Sequence, residues 1–552
     1  MKPGYSKAML PVYNQKQSWM DCRRTAILKR KSKVKPNVIF VFVDDLGIGD
    51  VSCFNPESQI QTPNIDALAR RGMRFTDSHA TSAVCTPSRY GLLTGRYNWR
   101  SRLKQGVLMG EGTPLIEPGR MTMANVFKKA GYFTACIGKW HLGMGWQKLE
   151  SIDGSMYGAE DEIEAWKQAD TQPEQGRRRA VLDTVGIDFT KPTLSGPRSY
   201  GFDYFYGLNA SLDQPPYTYI ENEKVTKVPD HLSGVWPLDR GGPTMQQQWQ
   251  RGPTASGFHP RDVLPHLQNK LLELIEIHAN EPFFLYYPTP AVHGPLLPLP
   301  EFEGKSGLNL YGDVVLQLDA MVGEITAKLK ELGIWDNTIV VFTSDNGCSG
   351  VADYPLLNSL GHDPSCGYRG KKADIWEGGH REPTIVSWPK KFAEAISCGE
   401  MVCHSDFFRT FAEILSVDVP ENAAEDSVSV LPLLEGGCRP VREHIIHHSG
   451  AGFFSIREGN WKLELCAHNG GPLSGAMGYV SVEPTCSEEI PYQLYDLEAD
   501  PGERKNLAAE NKDLIVRMKA NLLRLIEAGR STPGIPQQNT VETWRQLEEL
   551  KN

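Results

Sequence analysis

Six consecutive apolar residues, Val38-Ile39-Phe40-Val41-Phe42-Val43, leave no polar face, the pattern of a strand buried on both sides of a parallel sheet. Comparable runs recur at Tyr132 to Ile137, Phe283 to Tyr287 and Thr338 to Thr343. Between the last two, Val314, Val315, Leu318, Met321, Val322, Ile325, Leu329 and Leu332 return at helical spacing. Gly333 follows where a C-cap glycine belongs, so the pattern predicts a crossover helix. Strands alternating with helices in this way predict an α/β fold, a large mostly parallel sheet sandwiched by helices. No internal repeat of fixed period is present.

Past the Gly436-Gly437 turn the pattern changes. Ser455 to Leu465 reads as a hairpin around Gly459-Asn460, Tyr492 to Leu497 as a further strand, and Asp513 to Ala528 as an amphipathic helix. The expected organisation is a basic, disordered arm over 1–35, a main catalytic domain over 36–440, a small C-terminal α+β domain of antiparallel sheet plus helix over 441–530, and a loosely held surface tail over 531–552.

Composition narrows the class. With 552 residues, 40% hydrophobic and 23% charged, the chain is neither collagen-like, mucin-like nor wholly disordered. No apolar run approaches the ~20 residues of a membrane span. The net charge of −9 divides unevenly: residues 1–35 hold ten Lys/Arg and only Asp21 as an acid, so the rest carries −18. An acidic body argues against nucleic acid as a partner. The longest apolar stretch of the arm, Ala26-Ile27-Leu28, is too short for a secretory signal. Eleven cysteines without a C-x-x-C pair define neither a zinc knuckle nor a disulfide framework.

The chemistry follows the strands. The four runs lead into Asp44-Asp45, into Lys139 and His141, into His293, and into Asp345-Asn346. The carboxyl ends of parallel strands line one crevice where ligands bind. Each residue alone is ordinary, as a turn, cap or hydrogen-bonded histidine; their convergence on one rim is what points to a site. Three carboxylates and an amide oxygen make a hard, all-oxygen donor set, suited to Ca²⁺ or Mg²⁺ rather than Zn²⁺. Lysine and histidine beside it can hold an anion bridging to the metal, which implies a tetrahedral oxyanion ester as substrate. The candidate nucleophile is Cys85, placed by Thr86-Pro87 at the positive end of a helix.

The run Cys85-Thr86-Pro87-Ser88-Arg89, followed by Leu93-Thr94-Gly95, resembles the signature of the type I sulfatases of the alkaline-phosphatase-like superfamily. A second signature of that family stands as Gly138-Lys139-Trp140-His141-Leu142-Gly143, and a third as Lys372 with Glu377-Gly378-Gly379, Arg381 and Pro383. Further matches at Tyr495-Asp496-Leu497, Asp500-Pro501 and Asn506-Leu507 extend the likeness over nearly everything from Pro36 onward. The resemblance implies that a formylglycine-generating enzyme oxidises Cys85 to formylglycine, whose hydrated gem-diol attacks sulfur. It implies Ca²⁺ ligation by Asp44, Asp45, Asp345, Asn346 and the modified residue 85, with Mg²⁺ as the alternative.

On the same resemblance, Arg89 and Lys139 hold the diol, His141 hydrogen-bonds it, and Lys139, His293 and Lys372 bind the sulfate. His293 or Lys372 serves as general acid and Asp345 as base. The stretches Tyr200 to Gly207 and Leu212 to Tyr217 are similar to those of N-acetylgalactosamine-6-sulfatase-like enzymes. They imply a sulfated carbohydrate substrate, 6-O-sulfated N-acetylgalactosamine or a related glycosaminoglycan fragment, with Asp213 in the sugar pocket; an aryl sulfate is the simpler ester of the same class. Most of the aromatics in these stretches are expected to be core. The segment 145–280 is expected to overlie the strand ends. The family is periplasmic, secreted or lysosomal, whereas no signal peptide is visible here. Two other readings stand beside this one: a phosphoesterase of the same superfamily, which would want a Thr or Ser nucleophile and ligands for two metals, and a catalytically silent carbohydrate-binding protein if Cys85 stays unoxidised.

Overall fold

The computed structural model describes residues 35–152, 154–168, 181–235, 245–471 and 491–551. The basic arm expected over 1–35 lies, but for Lys35, outside the described residues.

The four predicted strands are present and adjacent. Strand β1 (Asn37–Val43) is central. The remaining strands of the main sheet are β2 (Gly72–Phe75), β3 (Phe133–Lys139), β4 (Tyr204–Leu208), β5 (Ile220–Glu221), β6 (Lys224–Val225), β7 (Phe283–Pro288), β8 (Thr338–Ser344), β9 (Thr384–Ser387) and β10 (Ile396–Cys398), in the order β10-β2-β9-β8-β1-β7-β3-β4-β5-β6. The contiguous block β8-β1-β7-β3-β4 is parallel throughout. The flanking strands β9, β5 and β6 run antiparallel to their neighbours.

Side-chain alternation explains why β1 is apolar without a break. Val38, Phe40 and Phe42 enter one core and Ile39, Val41 and Val43 the other, all essentially unexposed. The first core is covered by helices α2 (Cys85–Thr94), α3 (Met123–Lys129) and α6 (Asp406–Leu415). The second is covered by α1 (Pro63–Arg70), α4 (Val263–Ile277) and α5 (Leu310–Glu331). Helix α5 is the predicted crossover: the Asn309 side chain accepts from the Tyr311 and Gly312 amides at its start, and Gly333 beyond its end has φ +68°.

The long stretch between β3 and β7 does more than overlie the strand ends, because it supplies β4, β5 and β6 to the sheet itself. Its aromatics are core: Tyr200, Phe202, Phe205, Tyr206 and Tyr217 are all buried, and Tyr204 donates to Glu221 instead of facing a pocket. Strands β11 (His444–His448), β12 (Phe454–Glu458), β13 (Trp461–Glu464) and β14 (Gln493–Asp496) form a second, antiparallel sheet packed by helix α7 (Lys512–Glu527). The segment after Ser531, expected to be loosely held, is pinned. Trp544, Leu547 and Leu550 are buried against this sheet and α7. Arg96 donates to the Gln538 carbonyl, and the Thr540 amide to that of Arg100. Two apolar side chains in a seven-residue helix (Arg545–Lys551) carry too weak a period to read as a docking face in sequence. No helix among the described residues is long and apolar enough to cross a membrane.

Candidate active site

Register brings the strand ends together. Val43 pairs with Ser344, and the ladder runs one step further as the Asp345 amide donates to the Val43 carbonyl and the Asp44 amide to that of Ala291. Asp44, Asp45, Asp345 and Asn346 therefore leave the sheet side by side, all unexposed to solvent. Asp45 has φ +64°, a left-handed conformation that turns its side chain back toward the others. Its amide donates to Asp345 Oδ1 at 3.3 Å, and Asn346 Nδ2 donates to Asp45 Oδ1 at 2.8 Å.

Each carboxylate meets its own buried cation. Lys139 Nζ donates to Asp44 Oδ2 at 2.5 Å, Lys372 Nζ to Asp45 at 2.6 and 2.8 Å, and Arg89 grips Asp345 Oδ2 through two nitrogens at 2.7 and 3.0 Å. Of the neighbouring pair Lys371 and Lys372, only Lys372 pairs with Asp45; Lys371 lies over the Tyr354 ring. Burial opposes ionisation of Asp44, but Lys139, His293, Arg89 and Lys372 outweigh it and hold its carboxyl well below the ordinary range. Asp345 goes the other way, pushed up to about 7 by burial and by the Asp44 charge beside it, against Arg89 and Lys139.

Cys85 opens α2, with Val84 as the N-cap, and lies with its sulfur and one oxygen each of Asp44 and Asp345 within 4.8 Å of one another. Burial pushes its thiol up despite Lys139 and Lys372. As encoded, residue 85 is a protonated thiol and a poor nucleophile. His141, at φ +55°, bonds the Leu108 carbonyl through Nε2 at 2.8 Å and keeps Nδ1 buried with no partner. Burial, with Lys139 and Arg89, holds it neutral.

The donor set fits a hard cation. Asp44 Oδ1 and Asn346 Oδ1 are buried oxygens with no hydrogen-bond partner. Such orphans are costly unless something electropositive faces them. Asp44, Asp45, Asp345 and Asn346 offer oxygen only, as Ca²⁺ or Mg²⁺ requires. His293 is at the mouth, 14% exposed, with Nδ1 2.7 Å from the Gly294 carbonyl and Nε2 3.7 Å from Asp45 Oδ2. Asp213 stands further out, 23% exposed, 4.0 Å from His293 Nδ1. The structure thus gathers the residues expected at the rim into one cluster, with Asp213 at its edge.

Three contributors were not read from sequence. Ser211 lies 2.6 Å from Lys139 Nζ, just past the end of β4. The strand-end rule would have found it had the Tyr204–Leu208 run been read as a sheet strand. Beneath the Asp44-Asp45 turn, Asp50 accepts from the Gly47 amide at 2.8 Å and pairs with His362 Nε2 at 2.8 Å, while Tyr311 also donates to it. No local pattern marks a histidine more than 300 residues away as its partner. Glu382 is wholly buried with neither carboxyl oxygen bonded, and burial with the nearby Asp345, Asp45 and Asp50 carboxylates pushes its carboxyl well up.

The family model described as Sulfatase matches residues 36–417. The N-acetylgalactosamine-6-O-sulfatase of Bacteroides thetaiotaomicron is 35% identical over 535 residues, covering 89% of this chain and 93% of its own. Human arylsulfatase A is 29% identical over 507 residues, covering 86% of this chain and 83% of its own. A solved B. thetaiotaomicron structure, from work on the metabolism of multiple glycosaminoglycans, superposes with a TM-score of 0.73 at 34% identity, covering 89% of this chain and 99% of that one.

Proposed function

The chain belongs to the sulfatase family, has its alkaline-phosphatase-like fold and is a sulfuric ester hydrolase; from that premise we propose that it desulfates a sulfated amino sugar, using formylglycine at position 85 and a Ca²⁺ ion. The observation that carries the reading is the buried cluster of three carboxylates against three cations, with two unbonded oxygens, Asp44 Oδ1 and Asn346 Oδ1, beside Cys85.

Asp44, Asp45, Asp345, Asn346 and residue 85 would hold the ion. Bound there, it would lower the cost of charge on the residue 85 oxygen and polarise the sulfate oxygens. Three cations already face the cluster, so a dication added there leaves it positive and makes an anionic ester the natural guest. The run Cys85-Thr86-Pro87-Ser88-Arg89 supports oxidation of Cys85 by a formylglycine-generating enzyme, and the hydrated aldehyde would offer hydroxyls where the buried thiol offers no thiolate.

Arg89 and Lys139 would hold the diol and neutralise charge at it, both positioned by the carboxylates they already grip. The free Nδ1 of neutral His141 can accept a diol proton. Asp345, whose carboxylate lies beside residue 85, is the proposed base. His293 at the mouth, with Lys372 behind it, would neutralise the sulfate and protonate the departing alcohol. Asp213 beside His293 would accept from a sugar hydroxyl. The 35% identical relative acts, by its name, on N-acetylgalactosamine 6-O-sulfate, which makes that sugar the first substrate to try.

Two measurements test this. A tryptic mass spectrum of protein from a host with the maturation enzyme should give a residue 85 peptide lighter than encoded and reactive to hydrazide; a free thiol in fully active protein ends the formylglycine reading. kcat/KM should favour N-acetylgalactosamine 6-sulfate over a small aryl sulfate, and Asp213→Ala should erode that preference. Strong preference for the aryl ester, with ratios unmoved by Asp213→Ala, defeats the sugar assignment.

A further inference from the structure

A second cluster of titratable groups lies away from the sulfatase site, where the main sheet meets the C-terminal one. His79 sits in the short bridge to Val402–Cys403, His380 follows the turn Glu377–Gly379, and His447 is on β11. All three imidazoles are wholly buried, and burial, acting against the Glu377 charge, keeps each of them neutral with a lone pair to offer. One ring nitrogen from each lies within 4.8 Å of the other two.

On each ring one nitrogen is held by an acceptor. His79 Nε2 is 2.7 Å from Asp77 Oδ1, His380 Nε2 3.0 Å from the Ile375 carbonyl, and His447 Nδ1 3.1 Å from Ser455 Oγ. A carboxylate, a carbonyl and a hydroxyl in these places are the outer partners that orient metal-binding histidines. With those nitrogens protonated, the remaining ones would be the lone pairs that face an ion. His79 Nδ1 and His380 Nδ1 face each other at 3.1 Å, and His447 Nε2 is buried with no hydrogen-bond partner. Lys462 Nζ donates to His380 Nε2 at 3.1 Å beside its bonds to the Ile375 carbonyl and Glu503, and Arg457 reaches His79 Nε2 at 3.2 Å beside its bond to Asp77; without an ion these donors let one proton sit between the two Nδ1 atoms, the place a dication would take.

Two of the three ring spacings match a shared ion. Three imidazoles around a tetrahedral ion, with metal to nitrogen distances of about 2.0–2.1 Å, place ring centroids about 5 Å apart. The His79–His380 and His79–His447 centroids are 5.2 and 5.0 Å apart; the His380–His447 rings are stacked at 3.8 Å and 14°, so one of them would have to turn, as well as move out by about 1 Å, to aim at the same ion.

We propose that His79, His380 and His447 form a buried site for a zinc-type dication, which ties the C-terminal sheet to the main one. Neutral imidazoles suit Zn²⁺, while the oxygen-only cluster suits Ca²⁺, so the two sites sort the metals by donor type. The test uses the full chain, saturated with Ca²⁺, equilibrated with Co²⁺ as a visible probe and then gel-filtered. One equivalent of Co²⁺ should be retained, with d–d absorption in the visible that excess Zn²⁺ abolishes, and Zn²⁺ should raise the melting temperature. His447→Gln should retain neither metal while keeping its Ca²⁺. Because that variant leaves a polar group in a packed interface and can misfold, the wild-type measurement stands by itself. No retained Co²⁺ or Zn²⁺ in the wild type overturns the site, as does equal retention by folded His447→Gln.

Discussion

The side chains of the active cluster are paired before any ligand arrives, and this sets what each substitution should do. Removing one partner of a buried ion pair strands the other, so Asp345→Ala leaves the Arg89 guanidinium without its two bonds to Oδ2 as well as removing an oxygen from the cation cradle. Turnover should fall at least about 10³-fold, the scale of losing a buried charge-stabilising group. Exhaustive chelation of the wild type should give the same loss, with Ca²⁺ restoring rates and Zn²⁺ failing to; steady-state rates before and after readdition check both. Ser211 offers a subtler test. It is one of two groups bonded to Lys139 Nζ, so Ser211→Ala should lower kcat about 10-fold, the scale of one lost hydrogen bond to a charged group. Ser211→Thr should restore it, which a purely structural loss would not.

At the level of elements, the strand ends work only if neighbouring backbones approach closely. Gly138, paired with Gly207 across β3 and β4, has φ +135°, and a Cβ there would lie 2.2 Å from the Pro288 carbonyl oxygen on β7. Gly138→Ala should therefore cost about 3 kcal/mol or more and displace Lys139 and His141 together, so a urea titration and the sulfatase rate should fall in step. The C-terminal segment is the second such element. Deleting residues 540–552 uncovers the face filled by Trp544, Leu547 and Leu550, each worth about 1.5–3 kcal/mol when fully buried. The melting temperature should drop by several degrees; an unchanged melting curve would show that the segment adds nothing to the fold.

The whole molecule stores a pH dependence in buried groups that are not themselves part of the catalytic cluster. His404 and His448 are held down to about 3 by burial first, against about 6.5 in the unfolded chain. Between those values the unfolded chain binds protons that the folded one refuses, so their contribution is complete above pH 6.5 and lost as pH falls toward 3. Asp374, pushed up to about 7 by burial, acts with the opposite sign: its folded carboxyl keeps a proton that the unfolded one has lost, and stability falls as pH rises from about 4 to 7. Stability measured by urea between pH 4.5 and 6.5 should rise less steeply in His404→Gln, by about 1.4 kcal/mol per pH unit, and more steeply by a similar amount in Asp374→Asn. Parallel curves for all three proteins would refute the assignment.

The sequence by itself determined the central strands, the crossover helix and the polar residues that follow each strand, because burial on both faces demands an unbroken apolar run and a strand must end where a polar side chain is needed. It also carried Cys85 with Pro87, Ser88 and Arg89, and the Gly138 to Gly143 run, as contiguous words. What only the tertiary structure decided was anything formed by partners distant along the chain. That Asp50 takes His362 and Tyr311 as its partners depends on how distant segments lie beneath the Asp44-Asp45 turn. Whether Tyr206 and Tyr217 meet solvent or core depends on β4 joining the sheet. His79, His380 and His447 come from three segments whose local patterns are unremarkable, and only the packing of one sheet against another brings their rings together, since a buried polar contact is specified by both partners and written in neither alone.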